Sequence, residues 1–185
     1  AHLRLGSGFE LVASPEEDRA LAGFLRTAMA TIEGRTGKVL LSRAYRMVLN
    51  DWRDAMGQAL PMAPVGAVTG IVIEMPDGST RGIGADRWFL VEDAMRPMIR
   101  PRGGCLPHVP EGGRVVIRFD AGFTDSWAGV PADLAQAVLM LAARYHEDRS
   151  FEGSQSAMPF GVSALIERWR SVRVLGGRGN SRSRA

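Results

Sequence analysis

Apolar positions recur along this chain at two spacings, and the switch between them divides it into three parts. Ser14-Pro15-Glu16-Glu17 reads as a helix start: Ser14 can cap, Pro15 suits the first helical position, and Glu17 completes a capping box. Acids in that first turn also suit the helix dipole. Leu21, Phe24, Leu25, Ala28 and Ile32 follow at helical spacing, and Gly34 and Gly37 supply the stop. The spacing predicts a helix over 15–35. The period then drops to two. Tyr45, Met47 and Leu49 alternate with Ala44, Arg46 and Val48, which predicts a strand. Residues 54–66 hold two prolines and two glycines and read as a loop. Val68 to Met75 is a β-rich run, Pro76-Asp77-Gly78 a turn, and Ser79 to Ile83 the returning hairpin strand. Short strands are expected at Arg87 to Val91 and Met98 to Arg100, a Pro/Gly loop over 101–113, and the clearest strand at Arg114 to Phe119.

Helical spacing returns after Val130. Pro131 opens a helix whose buried stripe is Leu134, Val138, Leu141, Ala142 and Tyr145, with alanine density that favours helix. A loop is expected over 150–161, then a last short helix carried by Val162, Leu165, Ile166 and Trp169. Beyond Leu175, Gly, Ser, Arg and Asn dominate, a composition that cannot form a core and predicts disorder in the free protein. Together these patterns predict an α+β fold. It has a helical core of three to four helices (about 15–35, 131–148 and 162–172 among them) and a small antiparallel β insertion over about 42–120. The folded domain covers 1–170 and an extended basic tail 171–185.

With 185 residues, 45% of them hydrophobic and 23% charged, the chain can bury one ordinary core, which excludes wholesale disorder. No apolar run approaches the roughly 20 residues of a membrane span, and no charged-then-apolar leader pattern opens the sequence. The net charge of +3 at first suggests nucleic acid, but its distribution changes the picture. Residues 168–185 hold Arg168, Arg170, Arg173, Arg178, Arg182 and Arg184 and no acid, so the preceding body carries −3. Three fates are open for the tail: a nucleic-acid arm, a solubilising end, or a segment that folds onto a protein partner. The arm lacks aromatics for base stacking. The alternation in Val172-Arg173-Val174-Leu175 is strand-like and could add to a partner sheet.

No pattern for catalysis emerges. The three histidines are far apart, and His146-Glu147 lacks a second metal ligand because position 150 is Ser, so no metal site is expected. The paired carboxylates Asp51/Asp54, Glu92/Asp93 and Glu147/Asp148 read as solvated surface. There is no nucleophile elbow, phosphate loop or dinucleotide fingerprint, so no cofactor is expected. The sole cysteine, Cys105, excludes an internal disulfide and has no neighbour in sequence to activate it.

A set of short motifs nevertheless appears in a fixed order. Ala1-His2-Leu3-Arg4-Leu5 resembles the end of an opening helix, and Ile32-Glu33-Gly34-Arg35-Thr36-Gly37 a Glu-x-x-Thr-Gly helix end before a Tyr-containing strand at Tyr45. Leu60-Pro61-Met62-Ala63-Pro64-Val65 resembles a Leu-Pro-x-x-Pro-Val lead into the hairpin. Phe119-Asp120-Ala121-Gly122-Phe123 resembles a strand ending in Ala-Gly-aromatic. Val130-Pro131-x-x-Leu134 and Tyr145-His146-Glu147-Asp148-Arg149 bracket the following helix, with His146 as an extra residue in the second motif. In this order the chain resembles the head-to-tail adaptor (connector) proteins of tailed bacteriophages and gene transfer agents. The resemblance implies no enzymatic activity, a location in the particle neck, and a ring of about twelve copies. It implies that the ring extends the DNA channel, with the portal protein on one side and a stopper or tail terminator on the other. The DNA would pass without sequence-specific binding, and no membrane is involved. The resemblance also implies that the C-terminal segment docks on the portal, here through Val172, Arg173, Val174, Leu175, Arg178, Arg182 and Arg184. Electrostatics is consistent with it: an acidic body repels phosphates where a basic wall would trap them. A ring also needs apolar surface beyond the core, and Trp52, Met56, Trp88 and Phe89 are candidates for contacts between copies. The competing reading is a nucleic-acid-binding module acting through the Arg-rich tail.

Overall fold

The computed structural model describes residues 15–148 and 158–170. The Ala1–Leu5 helix end, Ser14 as a cap, Arg149, the loop at 150–157 and the tail from 171 onward lie outside the described residues. The fold is α+β, with three α-helices and two antiparallel sheets. Helix α1 (Pro15–Thr36) runs through Gly34 and stops at Gly37, whose φ of 68° takes the left-handed conformation glycine tolerates. Seven strands follow: β1 (Arg43–Leu49), β2 (Gln58–Ala59), β3 (Val65–Glu74), β4 (Thr80–Gly82), β5 (Trp88–Val91), β6 (Met98–Pro101) and β7 (Arg114–Ala121). Helices α2 (Ala132–Asp148) and α3 (Phe160–Ile166) complete the described chain.

The larger sheet has the order β1-β7-β3-β4 and the smaller β2-β6-β5. Register follows the alternation read from sequence. Tyr45, Met47 and Leu49 stand opposite Phe119, Ile117 and Val115, which in turn stand opposite Val68, Ile71 and Ile73. These rows form the inner face and share one core with Trp88, Ile99, Leu60, Leu106 and Val109. Three expectations need correction. The stretch 54–66 is not all loop: β2 pairs with β6 there, and β3 starts at Val65. Helix α3 begins at Phe160, inside the expected loop. The same helix does not reach 172: a 3-10 turn, Glu167–Trp169, tightens its end and Arg170 is extended, with φ −69° and ψ 124°.

The helices bury a second core. Ala28 and Ile32 of α1 meet Leu134, Ala137, Val138 and Leu141 of α2 and Val162 and Ile166 of α3. The strap over 37–42 joins the two cores. Val39 is buried in the sheet core and the next residue, Leu40, in the helical core. The strap backbone is bonded on both sides: Val39 N–H to Ala63 O, Ala63 N–H to Gly37 O, Phe123 N–H to Val39 O, and Ser42 N–H to Thr124 O. Glu33 fastens it to α1 by accepting the Leu40 N–H at 2.9 Å and, through both carboxylate oxygens, the Arg43 guanidinium at 3.1 and 2.6 Å.

Gly122 sets how closely β7 can approach the strap. Its φ is 146°, and a Cβ would lie 2.4 Å from the Ser42 backbone N and Cα. Backbone cannot step aside as a flexible side chain can. Gly122→Ala is therefore expected to destabilise the fold by about 3 kcal/mol, measured as the change in urea midpoint and slope. A loss below about 1 kcal/mol would show that the strap can move away.

Candidate assembly surfaces

The four apolar candidates separate into two pairs. Trp88 is buried, and its indole N–H donates to Ile83 O at 3.3 Å. Trp52 is half-buried against the sheet core and donates to Pro107 O at 2.7 Å. Both rings are thus already engaged within one protomer. Met56 is 61% exposed and Phe89 36% exposed. The smaller sheet gathers these two. Phe89 stands opposite Arg100 and Val91 opposite Met98 on its outer face, while Leu90 and Ile99 point to the core. The Met98 methyl and the Arg100 stem lie against Gly57, next to Met56. The Arg102 guanidinium sits 5.6 Å from the Phe89 ring centroid. The result is an apolar face with methionines that can adapt their shape and a cationic rim. Met95, 42% exposed, was not singled out by sequence because it lies in a turn with no strand alternation around it.

At least one member of each carboxylate pair is engaged in local structure. Asp51 accepts the Trp52 N–H, Asp54 the Met56 N–H, and Asp93 the Met95 and Arg96 N–H groups. Those two backbone donors hold the Asp93 carboxyl below its ordinary range. Asp148 pairs with Arg144 at 2.8 Å. Lys38, the only lysine, is 1% exposed, and its ammonium donates to Ala94 O. Burial lowers its pKa and Asp93 works in the opposite direction. His146 meets Phe24 edge-on at 5.9 Å, and Cys105 is exposed. Among the described residues no group of three His, Cys, Asp or Glu side chains could hold a metal ion, and no helix is long and apolar enough to cross a membrane.

The root of the C-terminal tail is held by Asp133, at the start of α2. Its Oδ2 accepts the Trp169 indole N–H at 2.6 Å and pairs with Arg168 Nε at 2.7 Å, while Oδ1 accepts the Leu134 N–H at 3.0 Å. The Trp169 ring meets Phe123 edge-on at 5.3 Å, and the Arg168 guanidinium lies over the indole at 4.9 Å. Beside this clamp lies an open depression lined by Asp133, Ala164, Leu165, Glu167 and Arg168. Arg170 pairs with Glu167 at 3.1 Å. Two of the arginines counted with the basic tail are therefore matched by acids at its root. The excess positive charge belongs to Arg173, Arg178, Arg182 and Arg184, which lie outside the described residues. Sequence could not reveal the clamp, because 36 positions separate its partners and no short motif spans them.

No protein-family model and no curated protein matches the chain. Solved structures do. A chain from the neck of an empty gene transfer agent particle, computed with C6 symmetry, is 53% identical with a TM-score of 0.85, over 96% of this chain and 89% of that one. A chain from the virion of the native particle matches at the same identity and coverage with a TM-score of 0.84. One from the native neck, computed with C12 symmetry, has 53% identity and a TM-score of 0.79 over 86% of each chain.

Burial raises the Asp133 pKa, but the Trp169, Arg168 and Leu134 donors outweigh it and hold the carboxyl below the ordinary aspartate range. A depressed carboxyl stabilises the fold above its unfolded pKa, and that stability is lost as pH falls through the folded value. Asp133→Asn should cost about 1–2 kcal/mol at neutral pH and flatten the fall in Tm between about pH 5 and pH 2. Parallel Tm curves for the two proteins would show that the carboxylate charge does not hold the tail root.

Proposed function

The chain belongs to the head–tail connector proteins of gene transfer agent particles, and on that footing we propose that it forms the adaptor ring between portal and tail. The observation that carries the reading is 53% identity over 96% of the chain with a chain of the particle neck. The protein is a virion component of that neck, where its copies associate with one another in a ring. Twelve copies match the C12 symmetry of the native neck.

The finer assignments rest on the resemblance to connector proteins, with charge in support. The portal is the docking partner of Val172, Arg173, Val174 and Leu175. Alternating Val and Arg let one face of an added strand bury while the other meets acids. Arg178, Arg182 and Arg184 supply further charge to an acidic portal surface. The clamp on Asp133 gives this segment a fixed point of departure. The stopper or tail terminator sits on the opposite side of the ring. Met56 and Phe89, backed by the packed rings of Trp52 and Trp88, provide an apolar face for a neighbouring copy. The net −3 of residues 1–167 suits passage of DNA without sequence-specific binding. No enzymatic step is part of this reading.

Deleting residues 172–185 is expected to leave the Tm of the purified chain within a few degrees of wild type and to abolish attachment to portal-bearing heads. The check is the amount of the truncated chain in purified particles. Incorporation at the full-length level would rule out the tail as the portal anchor.

A further inference from the structure

Among the described residues, the helical layer presents an exposed face on α1 and another on α3. α2 packs against α1 on one side and α3 on the other, and only Ala132, Arg144 and Glu147 of α2 are exposed. The two edges differ in shape. From α3 into the 3-10 turn after it, Phe160, Ala164 and Glu167 recur at helical spacing on the face opposite the buried Val162 and Ile166. Phe160 is 88% exposed, the most exposed large apolar side chain among the described residues. On α1, Gly23, Thr27, Ala30 and Gly34 recur on the face opposite Phe24, Ala28 and Ile32. A Cβ at Gly23 or Gly34 would meet nothing within 4 Å, so nothing within the protomer requires glycine there, although glycine weakens a helix interior.

A closed ring of identical copies uses heterologous contacts, in which two different surfaces of one chain meet. A layer ending in a projecting aromatic on one edge and a shallow face on the other has that complementarity built in. We propose that the α3 edge of one copy docks on the α1 edge of the next, with Phe160 seated in the shallow track between Gly23 and Ala30. This rests on the ring reading above and specifies which surfaces close the ring. Arg19 and Arg26 are exposed beside the track, and Glu167 extends the α3 face, so opposite charges border the contact. Aromatics that fill a small-residue recess are the side chains that dominate association energy when they are fully covered.

The test uses particles assembled with variant chains on a Cys105→Ser background. Phe160→Cys combined with Thr27→Cys should give a ladder of covalent multimers on mild oxidation, and neither single variant should. Phe160→Asp should leave the Tm of the purified chain unchanged and weaken association by about thirtyfold or more, seen as loss of the chain from particles. Particles that carry the double-cysteine chain at the wild-type amount yet give no ladder would overturn the proposal. So would a Phe160→Asp chain that incorporates normally, or one whose Tm drops, which would place Phe160 under the chain's own residues 149–157. If the Cys105→Ser parent itself were absent from the neck, the ring reading would fail rather than this contact.

Discussion

The constraint on which the fold depends is the strap over 37–42. Two cores with different periodicities must be held at a fixed relation, and this segment contributes side chains to both, as the facing Ala121 and Phe123 do. Val39 enters one and Leu40 the other because an extended backbone turns successive side chains to opposite sides. A buried extended segment exposes no backbone to water, so its N–H and C=O groups need partners on both flanks. Ala63 on one side and Phe123 and Thr124 on the other supply them. The close approach is possible because Gly122 carries no Cβ, and the direction is fixed because Glu33 bonds the strap to the end of α1. The buried Lys38 extends the same hub to the 93–96 turn through Ala94 O.

The sequence made the regular elements readable where one physical period dominates. α1, β1 and α2 each bury one face, so their apolar residues recur at a single spacing, and β7 stood out as an unbroken Val-Val-Ile run. The strap was not readable, because burial on both sides leaves no alternation to detect. β2 was hidden for a different reason: two residues are too short for a pattern, and neighbouring Pro61 and Gly57 signalled a loop. Phe160 was assigned to a loop because α3 is brief and its first residue points away from the core, so it adds nothing to the stripe of Val162 and Ile166.

The candidate surfaces were legible as a composition and not as a geometry. Four aromatic and methionine positions were named together, yet the register of β5 against β6 decides between them. Alternation along β5 turns Phe89 outward, while Trp88 before it and Leu90 after it join the core. The charge split at residue 168 was likewise correct as arithmetic but blurred in space. Asp133 and Glu167 match Arg168 and Arg170, so the unmatched positive charge begins only after Arg170.

These features bear on how a small protein can serve as a ring segment. Assembly presents a conflict: surface that must bury later has to remain soluble first. The protomer meets it by keeping Trp88 and Phe119 inside and satisfying the indole N–H groups of Trp52, Trp88 and Trp169 internally. Apolar groups such as Met56, Phe89 and Phe160 are left to project from rigid elements or from turns bonded to them. Each is too small alone to drive aggregation, and a side chain held by a packed helix or sheet loses little freedom on docking. Repeated around a closed ring, such contacts act together, because every copy is held on both sides and cannot leave without breaking two interfaces. The strap matters again here. A ring closes only if each protomer turns its neighbour by the same angle, and that angle is maintained only if helices and sheets cannot shift against one another.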